Sequence, residues 1–196
     1  MKKLISENIN ISVINLISDV AEKENVEIYL VGGFVRDLIL ERKSKDIDVL
    51  VIGNGIDFAN IVAKKTNERI QVFKNFGTAM LKTKDYEIEF VGARKESYNS
   101  DSRKPTIEEG SLEEDLSRRD FTINTLAISI NKKNYGEIVN LFDGINDIKR
   151  KIIKTPKDPQ VTFHDDPLRM FRAARFASQL NFKIDKENID FIKKEK

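Results

Sequence analysis

The pattern of apolar and polar residues predicts a chain in which helices and strands alternate. A first helix is predicted where Ile14, Ile17, Val20 and Ala21 recur at helical spacing, and it ends near Asn25. Further helices are predicted over residues 34–40, 56–65, 121–129 and 166–179. Short runs rich in branched apolar residues predict strands over residues 27–31, 46–52, 70–73, 78–83 and 86–91, the last two joined as a hairpin.

The same pattern divides the chain at about residue 140. Residues 1–139 hold all the predicted strands and are assigned to one α/β domain, while residues 140–196 are assigned to a basic, helical segment that looks cut short. Pro156 and Pro159 are expected to bracket a linker there. The polar residues 95–117 predict a long mobile loop. The final predicted helix is expected to bury Leu168, Met170, Phe171 and Phe176.

The composition narrows the possible chemistry. The 196 residues carry 34 Lys and Arg against 32 Asp and Glu, and this formal net charge of +2 does not by itself indicate a nucleic-acid-binding protein. The chain has no cysteine and a single histidine, which excludes disulfide frameworks, thiol nucleophiles and zinc sites built on Cys or His pairs. The remaining possibility is chemistry by carboxylates that act with an oxygen-preferring metal such as Mg²⁺.

No part of the sequence predicts contact with a membrane. Polar residues interrupt the apolar ones in the first twenty positions, which is unlike a signal peptide. No stretch approaches the roughly 20 consecutive apolar residues of a membrane span. A cytoplasmic protein is therefore predicted, and the absence of cysteine agrees with that location.

The densest chemical signal surrounds the second predicted strand. Asp46 and Asp48 alternate along it, so their carboxylates share one face and could bind one or two Mg²⁺ ions. Gly32 and Gly33 stand between a strand and a helix, where the backbone can approach a phosphate closely. Arg36, one turn into that helix, could bind the same phosphates. Alone, each feature also fits a solvated strand end or a tight turn; together they predict nucleotidyl transfer.

A third carboxylate is expected on a neighbouring strand. Glu87 and Glu89 lie two residues apart on the strand predicted over residues 86–91, so they share one face. The pattern does not choose between the two, and it fits a polar, solvent-facing surface equally well.

A cluster of polar residues follows the predicted loop. Arg118 and Arg119 could clamp triphosphate oxygens, and Asp120 could cap a helix or contact a ribose. Asn124 belongs to the same cluster. A capped helix start with surface ion pairs would have the same sequence.

The last predicted helix carries a possible base-reading pair. Asp166 and Arg169 are three residues apart, which places them on one helical face. A carboxylate accepts and a guanidinium donates, so the pair matches the exocyclic amine and adjacent ring nitrogen of cytosine or adenine, whereas uracil and guanine present the opposite pattern. Arg172 and Arg175 extend a basic stripe along the helix. The alternative is an amphipathic helix with a weak ion pair.

Three motifs in this order resemble the class II tRNA nucleotidyltransferase and bacterial poly(A) polymerase family. They are LVGGFVRDLIL followed by DID, then RRDFTINTLA, then DDPLRMFRAARFA, and they span about residues 29–180. The resemblance implies a polymerase-β-like nucleotidyltransferase head with a mixed sheet and flanking helices, followed by a small helical neck. Because family members carry further helical domains that grip tRNA, this chain is expected to be a head and the start of a neck.

The resemblance also assigns roles to individual residues. It implies that Asp46 and Asp48 bind catalytic Mg²⁺, as a two-ion site, and that Glu89 completes the catalytic carboxylates. Asp165 stands where many relatives carry Glu, which is a mild departure from the family pattern. The motifs and the resemblance together assign nucleotide binding to Gly32, Gly33, Arg36, Arg119, Asp120, Asn124, Asp166, Arg169, Arg172 and Arg175.

The implied activity is the Mg²⁺-dependent addition of C, C and A from CTP and ATP to the tRNA 3′ end, without a nucleic-acid template. The expected partners are therefore CTP, ATP and the tRNA 3′ end, and the oligomeric state is left open. The alternatives are a poly(A) polymerase, a CC-only or A-only enzyme, or an RNA-binding module with a vestigial site. Since residues 149–157 offer only five positive charges, weak tRNA binding is expected from this chain.

Overall fold

A mixed β-sheet forms the centre of the computed structural model, which describes Ile5 and residues 7–97 and 106–194. The strands of these residues are, in chain order, β1 (Ile28–Val31), β2 (Asp46–Val51), β3 (Ile70–Phe73), β4 (Thr78–Lys82), β5 (Glu87–Gly92), β6 (Arg94–Ser97), β7 (Thr106–Glu109), β8 (Ala127–Ser129), β9 (Ile138–Val139), β10 (Ile152–Ile153) and β11 (Lys183–Ile184). Within the described residues the main sheet has the strand order β3-β4-β5-β2-β1-β8-β9. Strands β6 and β7 form a separate hairpin, and β10 pairs with β11.

The helices of the described residues cover the sheet and extend beyond it. They are α1 (Ser12–Glu24), α2 (Gly32–Ile39), α3 (Gly55–Thr66), α4 (Leu112–Ser117), α5 (Gly144–Arg150), α6 (Pro159–Asp165), α7 (Leu168–Leu180) and α8 (Lys186–Lys194). Local chemistry sets several boundaries. Helix α3 begins where the Asn54 side chain accepts hydrogen bonds from two backbone N–H groups, and α1 and α3 both end at an asparagine in the left-handed region.

The register of β2 and β5 determines which side chains face the same way. These two strands are parallel, and Asp48 lies beside Glu89 while Asp46 lies beside Glu87. The intervening residue Ile47 is buried in the main core, so the four carboxylates project to the opposite face of the sheet. An acidic surface is thereby built at the centre of the sheet, where the backbone is held by hydrogen bonds on both sides.

Most elements of the first hundred residues confirm the sequence-based predictions. The first helix, the five strands and the hairpin between β4 and β5 all form, with boundaries shifted by one or two residues. Helix α2 begins at Gly32, two residues before the predicted start. The fold class, a mixed sheet with flanking helices, is also confirmed.

The predicted helix over residues 121–129 is wrong. The segment forms a single 3-10 turn, Thr122–Asn124, and then strand β8, which pairs antiparallel with β1. Its apolar side chains are almost all buried, on both faces of the backbone. A continuous apolar run of this kind is compatible with a buried strand as well as with a helix.

The predicted loop over residues 95–117 is also wrong in its described parts. Strands β6 and β7 pair antiparallel, and α4 begins with a reciprocal pair of hydrogen bonds between Ser111 and Glu114. This capping arrangement explains how a polar sequence forms a short helix. Tyr98, the aromatic residue of the predicted loop, lies outside the described residues.

The predicted linker and final helix need a further correction. Pro159 is the first residue of α6 rather than part of a linker, and α7 begins at Leu168 rather than at Asp166. Phe176 is buried as expected, whereas Leu168 and Phe171 are 66% and 76% exposed, so their assignment to the core is wrong. The proposed boundary near residue 140 stays a prediction. Among the residues that the structure describes, no helix has the length and hydropathy of a membrane span.

Helix α8 contains a residue whose replacement should stabilise the protein. Asn188 is fully buried, and within the described part of the chain neither polar atom of its side chain has a hydrogen-bond partner. Leucine has a similar shape without the desolvated amide, so Asn188→Leu should raise the free energy of unfolding by about 1–3 kcal/mol, measured by urea denaturation. The control Asn60→Leu, at an exposed position of α3, should change it by less than about 0.5 kcal/mol. A destabilised Asn188→Leu variant would contradict the expectation.

Candidate active site

A cleft of about 660 Å³ opens over the acidic face of β2 and β5. All thirteen candidate residues from the sequence line it, although they come from five separate stretches of the chain, residues 32–36, 46–48, 89, 119–124 and 166–175. They are Gly32, Gly33, Arg36, Asp46, Asp48, Glu89, Arg119, Asp120, Asn124, Asp166, Arg169, Arg172 and Arg175.

Gly32 lets the start of α2 approach the carboxylates closely. Its φ is +69°, and a Cβ at this position would lie 3.0 Å from Asp48 Oδ2 and 3.1 Å from Arg119 Nη1. Any side chain here would therefore be strained and would also crowd both neighbours. The glycine keeps the first turn of α2, one aspartate and one arginine together at the base of the cleft.

Asp48 is in an environment that disfavours its charge. Burial raises the pKa of its carboxyl to about 6, nearby Arg119 lowers it, and the negative charges of Glu89 and Asp46 raise it further. A partly buried carboxylate with acidic neighbours is a feature of catalytic and cation-binding sites.

Because its pKa is raised, replacing Asp48 by a neutral residue should stabilise the protein, and the size of this effect should depend on pH. Because this pKa is higher in the folded than in the unfolded chain, the stability that Asp48 contributes falls as pH rises from about 4 to about 6. We expect Asp48→Asn to raise the free energy of unfolding by about 1–2 kcal/mol at pH 7.5, and the gain to vanish below about pH 4. Urea denaturation at several pH values measures this. Asp85→Asn, in the exposed β4–β5 turn, is the control, and an equal gain at all pH values would contradict the expectation.

The carboxylates fit a metal that arrives with a nucleotide. In the described ranges no group of three His, Asp or Glu side chains is arranged to hold a metal ion by itself. Asp46, Asp48 and Glu89 nevertheless face one cleft. Since Mg²⁺ commonly binds through one or two carboxylates together with substrate phosphates, this donor set fits Mg²⁺.

Glu89 and Glu87 differ in their surroundings. Glu89 lines the cleft, whereas Glu87 does not and instead forms an ion pair with Lys82 at an exposed position. The side chain available to the cleft is therefore that of Glu89, and its catalytic role stays a prediction.

Asp115 fixes two of the arginines that line the cleft, Arg118 and Arg119. Its fully buried carboxylate accepts hydrogen bonds from Arg118 Nε at 3.1 Å and from Arg119 Nε and Nη2 at 3.1 and 2.9 Å. Burial raises the pKa of Asp115, but Arg119 and Arg118 outweigh it, so the pKa lies below its ordinary value. Asp115 was absent from the predicted site, because an acid three and four residues before an arginine is a common surface pattern.

A chain of hydrogen bonds crosses the rest of the cleft. Arg36 Nη1 donates to Asn124 Oδ1 at 2.8 Å, Asn124 Nδ2 donates to Asp120 Oδ1 at 2.9 Å, and Arg172 Nε donates to Asp120 Oδ2 at 2.8 Å. Arg36 also bonds Asp37 through Nε and Nη2, so three of its five N–H groups have protein partners. The network connects α2, the 3-10 turn and α7.

The proposed base-reading pair lies at the start of α7. Asp166 has extended backbone outside the helix, and its Oδ1 accepts a hydrogen bond from the backbone N–H of Leu168 at 3.0 Å. Its Oδ2 lies 3.9 Å from Arg169 Nε, while Arg169 Nη1 donates to the backbone oxygen of Thr162 at 3.4 Å. The two side chains are neighbours as expected, although Asp166 precedes the helix rather than belonging to it.

One aromatic ring lies beneath three arginines. The guanidinium carbons of Arg36, Arg172 and Arg175 lie 5.2, 5.3 and 4.7 Å from the centroid of the Phe176 ring. Cation–π attraction at these distances holds guanidinium groups in place. Phe176 was expected to be a core residue, and its second role could not be predicted from the sequence.

The sequence of this chain matches a known protein family. The sequence model described as "Poly A polymerase head domain" matches residues 28–154, well over half of the chain. The chain belongs to the poly(A) polymerase head-domain family. This membership confirms the resemblance that the three motifs suggested.

Relatives of this poly(A) polymerase-type head are tRNA nucleotidyltransferases. The chain is 42% identical over 165 residues to the A-adding tRNA nucleotidyltransferase of Aquifex aeolicus, covering 84% of this chain and 20% of the relative. It is 39% identical over 175 residues to the CCA-adding enzyme of Lactobacillus helveticus, covering 88% of this chain and 42% of the relative. The chain thus spans less than half the length of these relatives.

Solved structures agree with the family. The fold matches a CCA-adding enzyme in an apo form with a TM-score of 0.88 and 35% identity, covering 98% of this chain and 46% of that one. It also matches a tRNA nucleotidyltransferase complexed with a primer tRNA and an incoming ATP analogue, with a TM-score of 0.79 and 39% identity, covering 91% of this chain and 49% of that one. At these identities, this chain and the two solved structures share the head-domain architecture.

Proposed function

We propose that this chain transfers nucleotides from CTP and ATP to the 3′ end of tRNA, adding C, C and A without a nucleic-acid template. One observation carries the proposal. The D-x-D carboxylates and the glycine pair at the start of α2 line one cleft of about 660 Å³ together with the Asp166–Arg169 pair, which is more than a hundred residues away in sequence. In such a cleft, a single nucleoside triphosphate can reach carboxylates, phosphate-binding groups and a base-reading pair simultaneously. The family membership and the names of the relatives support the same activity.

Asp46 and Asp48 are the residues we assign to Mg²⁺ binding, with Glu89 beside them. When bound, Mg²⁺ would activate the attacking hydroxyl and neutralise charge on the phosphates. The oxygen of the tRNA 3′ hydroxyl forms a bond to the α-phosphorus and gives up its proton, the bond from the α-phosphorus to the oxygen that bridges to the β-phosphorus breaks, and pyrophosphate leaves with that oxygen. The work of the protein is positioning the two substrates and stabilising charge.

The triphosphate is assigned to the start of α2 and to Arg119. Gly32 and Gly33 expose backbone N–H groups at a helix start, where phosphate binding is favoured. Arg119 is held by buried Asp115, so it presents its charge without a large loss of conformational entropy on binding. Arg36, which has two N–H groups beyond its three protein bonds, supplements this positive charge.

The choice of CTP and ATP is assigned to Asp166 and Arg169. Cytosine and adenine both present an amine donor beside a ring nitrogen acceptor, which suits a carboxylate and a guanidinium side by side. Uracil and guanine present a carbonyl and an N–H there, so either base would place its acceptor against the carboxylate and its donor against the guanidinium. Arg172 and Arg175 are assigned supporting contacts.

The test uses tRNA transcripts that end before, within and after the CCA sequence. With Mg²⁺ and labelled CTP and ATP, the chain should add C, C and A to the first transcript, complete the second and leave the third unchanged, and a chelator should stop all incorporation. Addition of A alone to a CC end would indicate an A-only enzyme, and a long A tail on a complete end would indicate a poly(A) polymerase. RNA binding without any incorporation would identify a binding module. The cytoplasmic location stays a prediction.

A further inference from the structure

A second cavity of about 710 Å³ adjoins the active-site cleft. The two cavities share Phe34 and Ser44 as a common wall. The second cavity extends away from the cleft along the loop between α2 and β2. We call it the α2–β2 groove; its wall residue Ser44 is hydrogen-bonded to the backbone of Asp46, whose side chain lines the active-site cleft.

The α2–β2 groove combines positively charged and apolar side chains, a surface that suits a ligand with several negative charges and some apolar groups. Arg42, Lys43 and Lys45 line it and are exposed. Further residues supply apolar surface or acidic charge: Ile11, Leu38, Tyr86, Glu41 and Asp85. Nucleic-acid strands are recognised by such combinations, because cations bind the phosphates while aromatic and aliphatic groups pack against bases and sugars.

The cations of the groove stand on a rigid loop. The N–H of Arg42 donates to the backbone oxygen of Asp37 at 2.8 Å, and Glu41 adopts a φ of +55°, which together form a Schellman-type end to α2. Ser44 Oγ bonds the backbone oxygen of Asp46 at 3.2 Å and accepts from its N–H at 3.3 Å. The loop thus leads directly into the catalytic strand.

Two further contacts fix this loop to neighbouring elements. The backbone oxygen of Lys45 accepts from the N–H of Glu87, which continues the pairing of β2 with β5. Arg42 Nη1 donates to the backbone oxygen of Gln179 near the end of α7 at 3.4 Å. The loop that carries Lys43 and Lys45 is therefore hydrogen-bonded to α2, to β5 and to the end of α7.

We propose that the α2–β2 groove binds the single-stranded 3′ segment of the acceptor RNA and brings its terminal hydroxyl to Asp46. This inference rests on the proposed function, which needs two anionic substrates that meet at the carboxylates. The arginines of the cleft lie on the side of Gly32 and α7, where the nucleotide is assigned. The α2–β2 groove approaches from Ser44, and its apolar surface suits bases and ribose better than inorganic pyrophosphate.

The experiment measures binding of a 5′-fluorescein-labelled, eight-nucleotide RNA that ends in CC, by anisotropy in 50 mM salt. The double variant Lys43→Ala/Lys45→Ala should raise the Kd for this RNA about tenfold. It should also reduce the slope of log K against log salt by about 1.4, since each single-strand phosphate contact contributes about 0.7. The Kd for CTP should stay within about twofold of wild type.

The control variant is Lys64→Ala/Lys65→Ala, which removes the same charge from an exposed part of α3. An equal loss of RNA binding in both variants, no loss in either, or a wild-type chain that does not bind the RNA would overturn the groove assignment. The assignment would also be overturned if Lys43→Ala/Lys45→Ala bound the RNA as wild type does but its CMP incorporation were inhibited less by added pyrophosphate. The groove would then be a pyrophosphate site. These outcomes are distinguishable from failure of the proposed function, which is a wild-type chain that incorporates no CMP or AMP into tRNA.

Discussion

Replacing Asp46 or Asp48 by asparagine should lower the rate of CMP incorporation by about a thousandfold or more. Each substitution keeps the shape of the side chain but removes a negative charge from the face of β2 that lines the cleft. In the proposed mechanism Mg²⁺ would stabilise charge in the transition state, and an amide oxygen would bind it more weakly than a carboxylate does. Single-turnover extension of a tRNA transcript that lacks CCA measures the effect.

CTP binding separates a catalytic loss from a folding defect. Both aspartate variants should still bind CTP measurably, and Asp48→Asn should be more stable than wild type at pH 7.5. A variant that is more stable and yet inactive is the expected signature of a residue retained for catalysis at a cost in stability. Incorporation at the wild-type rate by either variant would refute the metal assignment.

Glu89 and Glu87 provide a matched pair for the third carboxylate. They lie two residues apart on β5, but only Glu89 lines the cleft, while Glu87 pairs with Lys82. Glu89→Gln should slow incorporation by about 10- to 100-fold, whereas Glu87→Gln should leave it within about twofold. The reverse order would assign the role to Glu87.

Replacing Asp115 by asparagine should damage both stability and nucleotide binding. Asp115 is fully buried and neutralises Arg118 and Arg119, so its loss leaves two partly buried cations without their carboxylate. Removing one partner of a buried ion pair costs about 3 kcal/mol, and Arg119 would lose its fixed position in the cleft. Urea denaturation and the KM for CTP measure the two effects, and KM should rise about tenfold.

The loss of stability in Asp115→Asn depends on pH in a defined direction. Because the pKa of Asp115 lies below its ordinary value in the folded chain, the stability it contributes is present above about pH 4 and is lost as pH falls further. The difference between wild type and Asp115→Asn should therefore shrink in acid. Glu113→Gln, an exposed change on the same helix, is the control. An unchanged KM for CTP would show that Arg119 does not depend on Asp115.

The sequence allowed the arrangement of Asp46 and Asp48 on β2 to be predicted because its signals are local. Alternation along β2 places Asp46 and Asp48 on one face whatever the rest of the fold does, and a glycine pair between a strand and a helix has few other uses. The assignments of Asp166 and Arg169 depended on resemblance to a family as well as on spacing. Their meeting with β2 in one cleft depends on the tertiary fold, which spacing alone does not determine.

The errors have physical causes that single-sequence patterns do not contain. Phe121, Ile123 and Ile128 are all buried, so the segment lacks the polar face that would distinguish a strand from a helix. Conversely, β6 and β7 form a two-stranded sheet that is separate from the main sheet. Their sequence therefore lacks the alternation of apolar and polar residues by which a strand is usually predicted. Leu168 and Phe171 were assigned to the core because they are large and apolar, but apolar residues also occur on surfaces.

The ring of Phe176 has a consequence for redesign of nucleotide choice. Arg36, Arg172 and Arg175 all lie near this ring, and Arg36 and Arg172 are further connected through Asn124 and Asp120. Substitutions at residues that share partners in this way do not add independently. A directed-evolution library that varies these arginines one at a time would therefore miss productive combinations, and the arginines should be randomised together with the aromatic position.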